Sequence, residues 1–169
     1  PQIDFVPDIL HANDWQAALC FIYLRHKYRY PDMKSVYTIH NIEYQGIYDQ
    51  AILGDVFDLP EEARNDVVYN NCINLTKGAL VCAHRITTVS PRYAEEIKND
   101  YYACGLQYAV RDASHKLSGI INGIDYREFD PRRNKDISAN FSKTNPKNKQ
   151  FCKQDLQRLF GLPESPSTP

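Results

Sequence analysis

The sequence predicts an α/β fold, an open parallel sheet flanked by helices. Short β-type runs alternate with longer segments of helical periodicity, which is the pattern of βαβ units. Several of these runs end abruptly in polar turns, and in open α/β sheets ligands bind beyond the carboxyl ends of the strands. The 169 residues are 43% hydrophobic and 24% charged, enough for a domain with its own core.

Phe5 to Leu10 reads as the first strand, running into His11-Ala-Asn13-Asp14. Trp15, Ala18, Leu19 and Ile22 then recur at helical spacing, so a helix is expected from Asp14 to about Lys27, with Asn13 or Asp14 near its N-cap. Pro31-Asp32 closes it, and Lys34 to Ile39 forms the second strand, ending in His40-Asn41. Gly46, Gly54 and Pro60 mark Gln45 to Glu62 as a loop over the rim. Val68, Cys72, Leu75, Ala79 and Cys82 step by four, three, four and three, which predicts one helix of roughly four turns.

Arg85 to Val89 is β-branched and reads as a strand. Ser90-Pro91 supplies an N-cap and a first-turn proline for a helix through about Lys98. Tyr101 to Ser114 reads as irregular, and Lys116 to Ile121 as a fourth strand that ends in Asn122-Gly123-Ile-Asp125. Arg132 to Lys149 is a polar surface excursion. Phe151 to Phe160 is an amphipathic helix stopped by Gly161-Leu-Pro163. Residues 1–162 are thus expected to form part of one domain and 163–169 the start of an interdomain linker.

Charge and cysteine usage exclude several function classes. A net charge of −1 offers no field for a nucleic-acid backbone, and no Lys/Arg stripe stands out. No apolar run is long enough to span a bilayer, so neither nucleic acid nor membrane is an expected partner. The five cysteines contain no Cys-x-x-Cys, which suits free thiols in a reducing cytoplasm and points to no metal site. A chain opening at Pro1 is expected to be an excised piece of a longer protein.

Five blocks stand out along the chain: His11-Ala-Asn-Asp14-Trp15, Thr38-Ile-His40-Asn41-Ile-Glu-Tyr44-Gln45-Gly46, Leu75-Thr-Lys77-Gly78-Ala-Leu80, Ile86-Thr-Thr-Val-Ser90-Pro91-Arg-Tyr93-Ala94 and Ile121-Asn122-Gly123-Ile-Asp125. Together they resemble the bacterial glycogen synthases and plant starch synthases. The resemblance implies a retaining GT-B glucosyltransferase built of two Rossmann-like domains, of which this chain is similar to the latter part of the first. It implies transfer of glucose from ADP-glucose, or another nucleotide-glucose, to the non-reducing end of an α-1,4-glucan, in the cytoplasm or in a plastid if the source is a plant. The C-terminal domain of the same protein is the expected partner, and no cofactor is implied. Without that domain and the family's Lys-x-Gly-Gly loop, this chain alone is expected to be inactive.

Retaining transfer develops positive charge on the sugar and negative charge on the departing diphosphate. By the resemblance, His40 and Asp14 are the candidate catalytic residues, His40 beside a glucose hydroxyl and Asp14 on the acceptor side. His11, Asn41, Tyr44, Lys77, Asn122 and Gly123 are candidate substrate-binding residues. The family usually shows His where this chain has Asn13 and Gln16, and a small residue where it has Glu43; Asn and Gln cannot titrate, so those two positions transfer no proton.

Structural readings stand beside these. His11 also reads as a brace for its strand end, Asp14 as a plain N-cap, Lys77 as a solvated amine, and Asn122-Gly123 as a simple turn. Trp15 reads as core. Two other functions fit the same residues: a non-catalytic glucan-binding or scaffolding half-domain, and a metal-dependent hydrolase using His11, Asp14 and His40.

Overall fold

The computed structural model describes residues 5–28 and 30–167, and it divides into two units, Pro1–Asn122 and Gly123–Pro169. The first unit is built on four parallel strands, β1 (Ile9–Asn13), β2 (Lys34–Ile39), β6 (Arg85–Thr88) and β7 (Leu117–Gly119), side by side in that order.

Strand β1 spans Ile9–Asn13, pairing residue by residue with Lys34–Thr38 of β2 (Lys34–Ile39). The expected first strand, Phe5 to Leu10, lies too early. Pairing begins only where the Asp8 carbonyl accepts the Lys34 amide, and Pro7 just upstream has no N–H to give a ladder. His11 therefore sits inside the strand rather than after it.

The expected helix from Asp14 to Lys27 is broken at its start. A 3-10 turn, Trp15–Ala17, precedes α1, Leu19–His26, and the Asp14 side chain caps neither. Asp14 has φ 53 and ψ 179, a conformation few non-glycine residues adopt, so the helix cannot begin there.

Gln45 to Glu62 is more ordered than a loop. It holds β3 (Ile47–Tyr48), α2 (Ile52–Asp55) and the 3-10 start Glu61–Ala63 that leads into α3 (Arg64–Val67). The single helix expected over Val68 to Cys82 is likewise replaced by a hairpin and a shorter helix. Strands β4 (Val68–Tyr69) and β5 (Cys72–Asn74) pair antiparallel, β3 adds to β5, and α4 covers only Leu75–Cys82. The cause is Asn70-Asn71. Both residues take positive φ, 49 and 61, as a two-residue hairpin turn with matching twist requires. Asn74 then caps α4, its Oδ1 accepting the Lys77 amide at 2.9 Å.

Strand β6, Arg85–Thr88, lies beside β2. Helix α5 (Pro91–Glu96) starts as the sequence requires, with Ser90 Oγ accepting the Tyr93 amide at 2.9 Å and Pro91 in the first turn. The stretch expected to be irregular contains α6, Gln107–Asp112, which buries Ala109 and Val110. Strand β7 is Leu117–Gly119, closing the sheet on β6.

The sheet's two faces differ. Ala12, Ser35, Tyr37, Ile39, Ile86 and Thr88 are buried on one face, in the core shared with Phe21, Ile22, Ala79 and Leu80 of α1 and α4. Those two helices approach so closely at Gly78 that a Cβ there would lie 2.7 Å from Ile22 Cδ1. On the opposite face Ile9, His11, Asn13, Arg85 and Ser118 are exposed.

In the second unit the one long element among the described residues is α7, Lys149–Leu159, followed by Gly161 at φ 63. The Asn/Lys-rich stretch before it is turns, as its composition predicts. Residues 163–167 form no helix or strand, and 168–169 of the expected linker lie outside the described residues.

Candidate functional site

The carboxyl ends of β1 and β2 are tied together at the rim. The Asp14 amide donates to the Thr38 carbonyl at 2.9 Å, and Asp14 Oδ1 accepts the His40 backbone N–H at 2.8 Å. His40 Nε2 lies 3.0 Å from Asn13 Oδ1. With the amide oxygen accepting, the imidazole proton sits on Nε2 and Nδ1 remains an acceptor. His40 as a residue is exposed at this rim.

His11 is part of a row on the open face of the sheet. Its Nε2 lies 2.7 Å from Thr38 Oγ1, which in turn lies 2.6 Å from Thr87 Oγ1. Three strands are thus stitched by side-chain hydrogen bonds one step behind the rim. In this row the His11 ring hydrogen-bonds across to the neighbouring strand.

The loop after β2 is held from beneath. Asn41 Oδ1 accepts the Glu43 amide at 3.0 Å, forming a local turn, and Tyr93 Oη accepts the Ile42 amide at 3.1 Å. Burial pushes the Tyr93 phenol above its ordinary range. Gln45 is buried and fully engaged: its amide nitrogen donates to the carbonyls of Ile42 and Cys104, and its oxygen accepts from Asn74. The carbonyls of Gln45 and Gly46 accept the Thr76 and Leu75 amides, satisfying donors at the start of α4. Gly46 has φ 65, and a Cβ on it would lie 2.6 Å from the Trp15 ring. Trp15 is thus a packing residue under the loop, as expected, while Tyr44 on the loop is 62% exposed.

The remaining candidates are not drawn into this cluster. Lys77 Nζ donates to the Asn65 carbonyl at 2.5 Å and lines a cavity of about 270 Å³ with Tyr69, Tyr108 and Asp112. Burial holds that amine below its ordinary range. Asn122 is exposed and follows β7, which has β6 between it and β2. Gly123 begins the second unit, and nothing lies within 4 Å of where its Cβ would be. Among the described residues His11, Asp14 and His40 do not gather their ligand atoms into a group that could hold a metal ion, as the hydrolase reading requires.

Sequence reasoning assigned no bracing role to Thr38, Thr87, Tyr93 or Gln45. A signal existed for the two threonines, each at an outward position of a strand whose alternate residues, Ser35, Tyr37 and Ile39 or Ile86 and Thr88, are the buried ones.

The family model described as the starch synthase catalytic domain matches residues 1–112. The chain belongs to this family. A glycogen synthase of Clostridioides difficile is 39% identical over 174 residues, covering 99% of this chain and 36% of the relative. One from Streptococcus agalactiae is 40% identical over 174 residues, covering 99% and 37%. The catalytic domain of starch synthase IV from Arabidopsis thaliana, solved with ADP and acarbose bound, superposes with a TM-score of 0.68 at 32% identity, covering 96% of this chain and 34% of that one. The chain therefore spans just over a third of the curated relatives it matches. Its four-stranded parallel sheet is the Rossmann-like part of a GT-B N-terminal domain. Among the described residues no helix is long and apolar enough to cross a membrane.

Proposed function

We propose that this chain is a fragment of a glycogen or starch synthase, which transfers glucose from ADP-glucose to the non-reducing end of an α-1,4-glucan with retention. The observation that carries the reading is the cluster of Asn13, Asp14 and His40, drawn from two family blocks into one hydrogen-bonded unit at the strand-end rim. Family membership and the ADP and acarbose bound to the starch synthase IV relative support the substrate classes.

In this reading His40 orients the donor glucose through Nδ1, a neutral acceptor that does not oppose the charge growing on the sugar. Asp14 holds the His40 backbone through one oxygen and leaves the other for an acceptor hydroxyl. Asn41, Tyr44, Lys77, Asn122 and Gly123 contribute to substrate binding once the second domain closes the cleft, and His11 acts behind them as a brace. That C-terminal domain is the partner that supplies diphosphate neutralisation, and the setting is the cytoplasm, or a plastid in a plant. The chain alone transfers no glucose. The test is incorporation of labelled glucose from ADP-glucose into glycogen: the full-length protein is expected to catalyse it and this chain is not. A full-length protein inactive with every nucleotide-glucose would overturn the reading.

A further inference from the structure

Away from the rim, three chemically different donors meet where α1, α3 and α4 end against each other. The imidazole of His26, the carboxylate of Asp66 and the thiol of Cys82 place one ligand atom each within 4.8 Å of one another, all half-buried. His26 Nε2 lies 2.9 Å and Cys82 Sγ 3.8 Å from the same oxygen, Asp66 Oδ2. His26 is the last residue of α1 and Cys82 the last of α4, and each helix has eight residues. Both side chains therefore leave the last turn of a helix, where the partial negative charge of the unpaired carbonyls favours a cation.

We propose that His26, Asp66 and Cys82 bind a thiophilic divalent cation, Zn2+ by the chemistry of the donor set, independently of any glucosyl transfer. An imidazole nitrogen, a carboxylate oxygen and a sulfur suit zinc and not the hard cations magnesium or calcium, which take oxygen. Tetrahedral bonds of about 2.0–2.3 Å would set donor atoms about 3.3–3.8 Å apart, against 2.9 and 3.8 Å for the two pairs that share Asp66 Oδ2 and no more than 4.8 Å for the third. Solvent completes the fourth position.

The protons balance simply. Cys82 loses its thiol proton to solvent as the sulfur–metal bond forms, and the His26 proton shared with Asp66 moves from Nε2 to Nδ1. One proton is released per ion. Around the thiol, burial and Asp66 hold the proton on and push it up to about 12, whereas Arg25 and Lys116 oppose that shift. Lys77 also lies within electrostatic reach of Asp66 and Cys82. Arg25 Nε, 3.1 Å from Asp66 Oδ2 on a side chain 52% exposed, must swing outward to make room.

The test is titration of the purified chain with Co2+ and Zn2+. Cobalt is expected to give a thiolate-to-metal charge-transfer band saturating at one ion per chain, displaced by Zn2+. The band should vanish in Cys82→Ser and His26→Gln and persist in Cys20→Ser, whose thiol is exposed. Calorimetry of Zn2+ binding in two buffers of different ionisation enthalpy should count one released proton, a reading on the unmutated chain that needs no variant to fold. Absence of the band, its survival in Cys82→Ser, or binding with no proton released would overturn the assignment.

Discussion

Asp14 Oδ1 and the backbone N–H of His40 meet at 2.8 Å, which locks the end of β1 to the end of β2 through a side chain. Asp14 does this from a strained conformation, φ 53 and ψ 179. Strain of this kind, about 1–3 kcal/mol, persists where the surroundings over-determine it, and such residues cluster at functional sites. The same link fixes the backbone from which the His40 imidazole projects.

Asp14→Ala is therefore expected to destabilise the chain. It removes a charge-assisted hydrogen bond, worth about 1.5–3 kcal/mol, and keeps a side chain at an unfavourable φ. Asp14→Asn retains an acceptor and should lose less than half as much. Urea denaturation followed by circular dichroism checks both, and equal stabilities for Asp14→Ala and wild type would remove Asp14 from the rim's framework.

Gly46→Ala should cost more than a typical surface change. The new methyl group meets the Trp15 ring at 2.6 Å, and φ 65 disfavours any side chain. Overpacking and backbone strain together give about 2–4 kcal/mol. Gly123→Ala is the control, because nothing lies within 4 Å of its Cβ position. Thermal melts of the two variants side by side measure the difference.

What the sequence revealed and what it concealed have separate physical causes. Lys34–Ile39 was legible to the residue because an alternating β-branched run ends at a polar pair, and Ser90-Pro91 because capping chemistry is local. The helix expected through Val68 to Cys82 failed because an apolar spacing of four and three says nothing about φ. Two adjacent asparagines tolerant of positive φ turned the chain into a hairpin instead. At the site, His40 and Asp14 were legible as candidates, but their partnership was not. Twenty-six positions separate them, and only the parallel register of β1 on β2 brings them together.

In the second unit, acid should expose one specific pair. Asp130 accepts from the Arg132 guanidinium through both oxygens, at 2.9, 3.0 and 2.7 Å, and from the Arg132 amide at 3.0 Å. These bonds hold its carboxyl down to about 2. The unfolded value is about 3.9, so the folded pKa is the lower one. The pair's contribution is present above about pH 4 and is lost as pH falls toward about 2. Carboxyl NMR titration of Arg132→Met should find Asp130 titrating near the ordinary aspartate value. An unchanged low pKa would assign the shift to other groups.

The sharpest functional prediction concerns His40 in the full-length protein. If Nδ1 orients the donor glucose by a bond that strengthens as the sugar flattens, its loss counts more in the transition state than in the ground state. His40→Ala should then lower kcat by a larger factor than it raises KM for ADP-glucose. One well-oriented bond is worth about 2–4 kcal/mol there, which corresponds to a fall in turnover of roughly two to three orders of magnitude. The fold should survive, because the side chain is exposed and the Asp14 link runs to the backbone N–H, which alanine keeps. Asn13→Ala separates orientation from contact. It removes the partner of His40 Nε2 and leaves the imidazole in place, so a smaller loss of kcat is expected than for His40→Ala. Steady-state kinetics on both variants, with circular dichroism to confirm folding, makes the comparison. Near wild-type turnover in folded His40→Ala would make this histidine a bracing residue like His11.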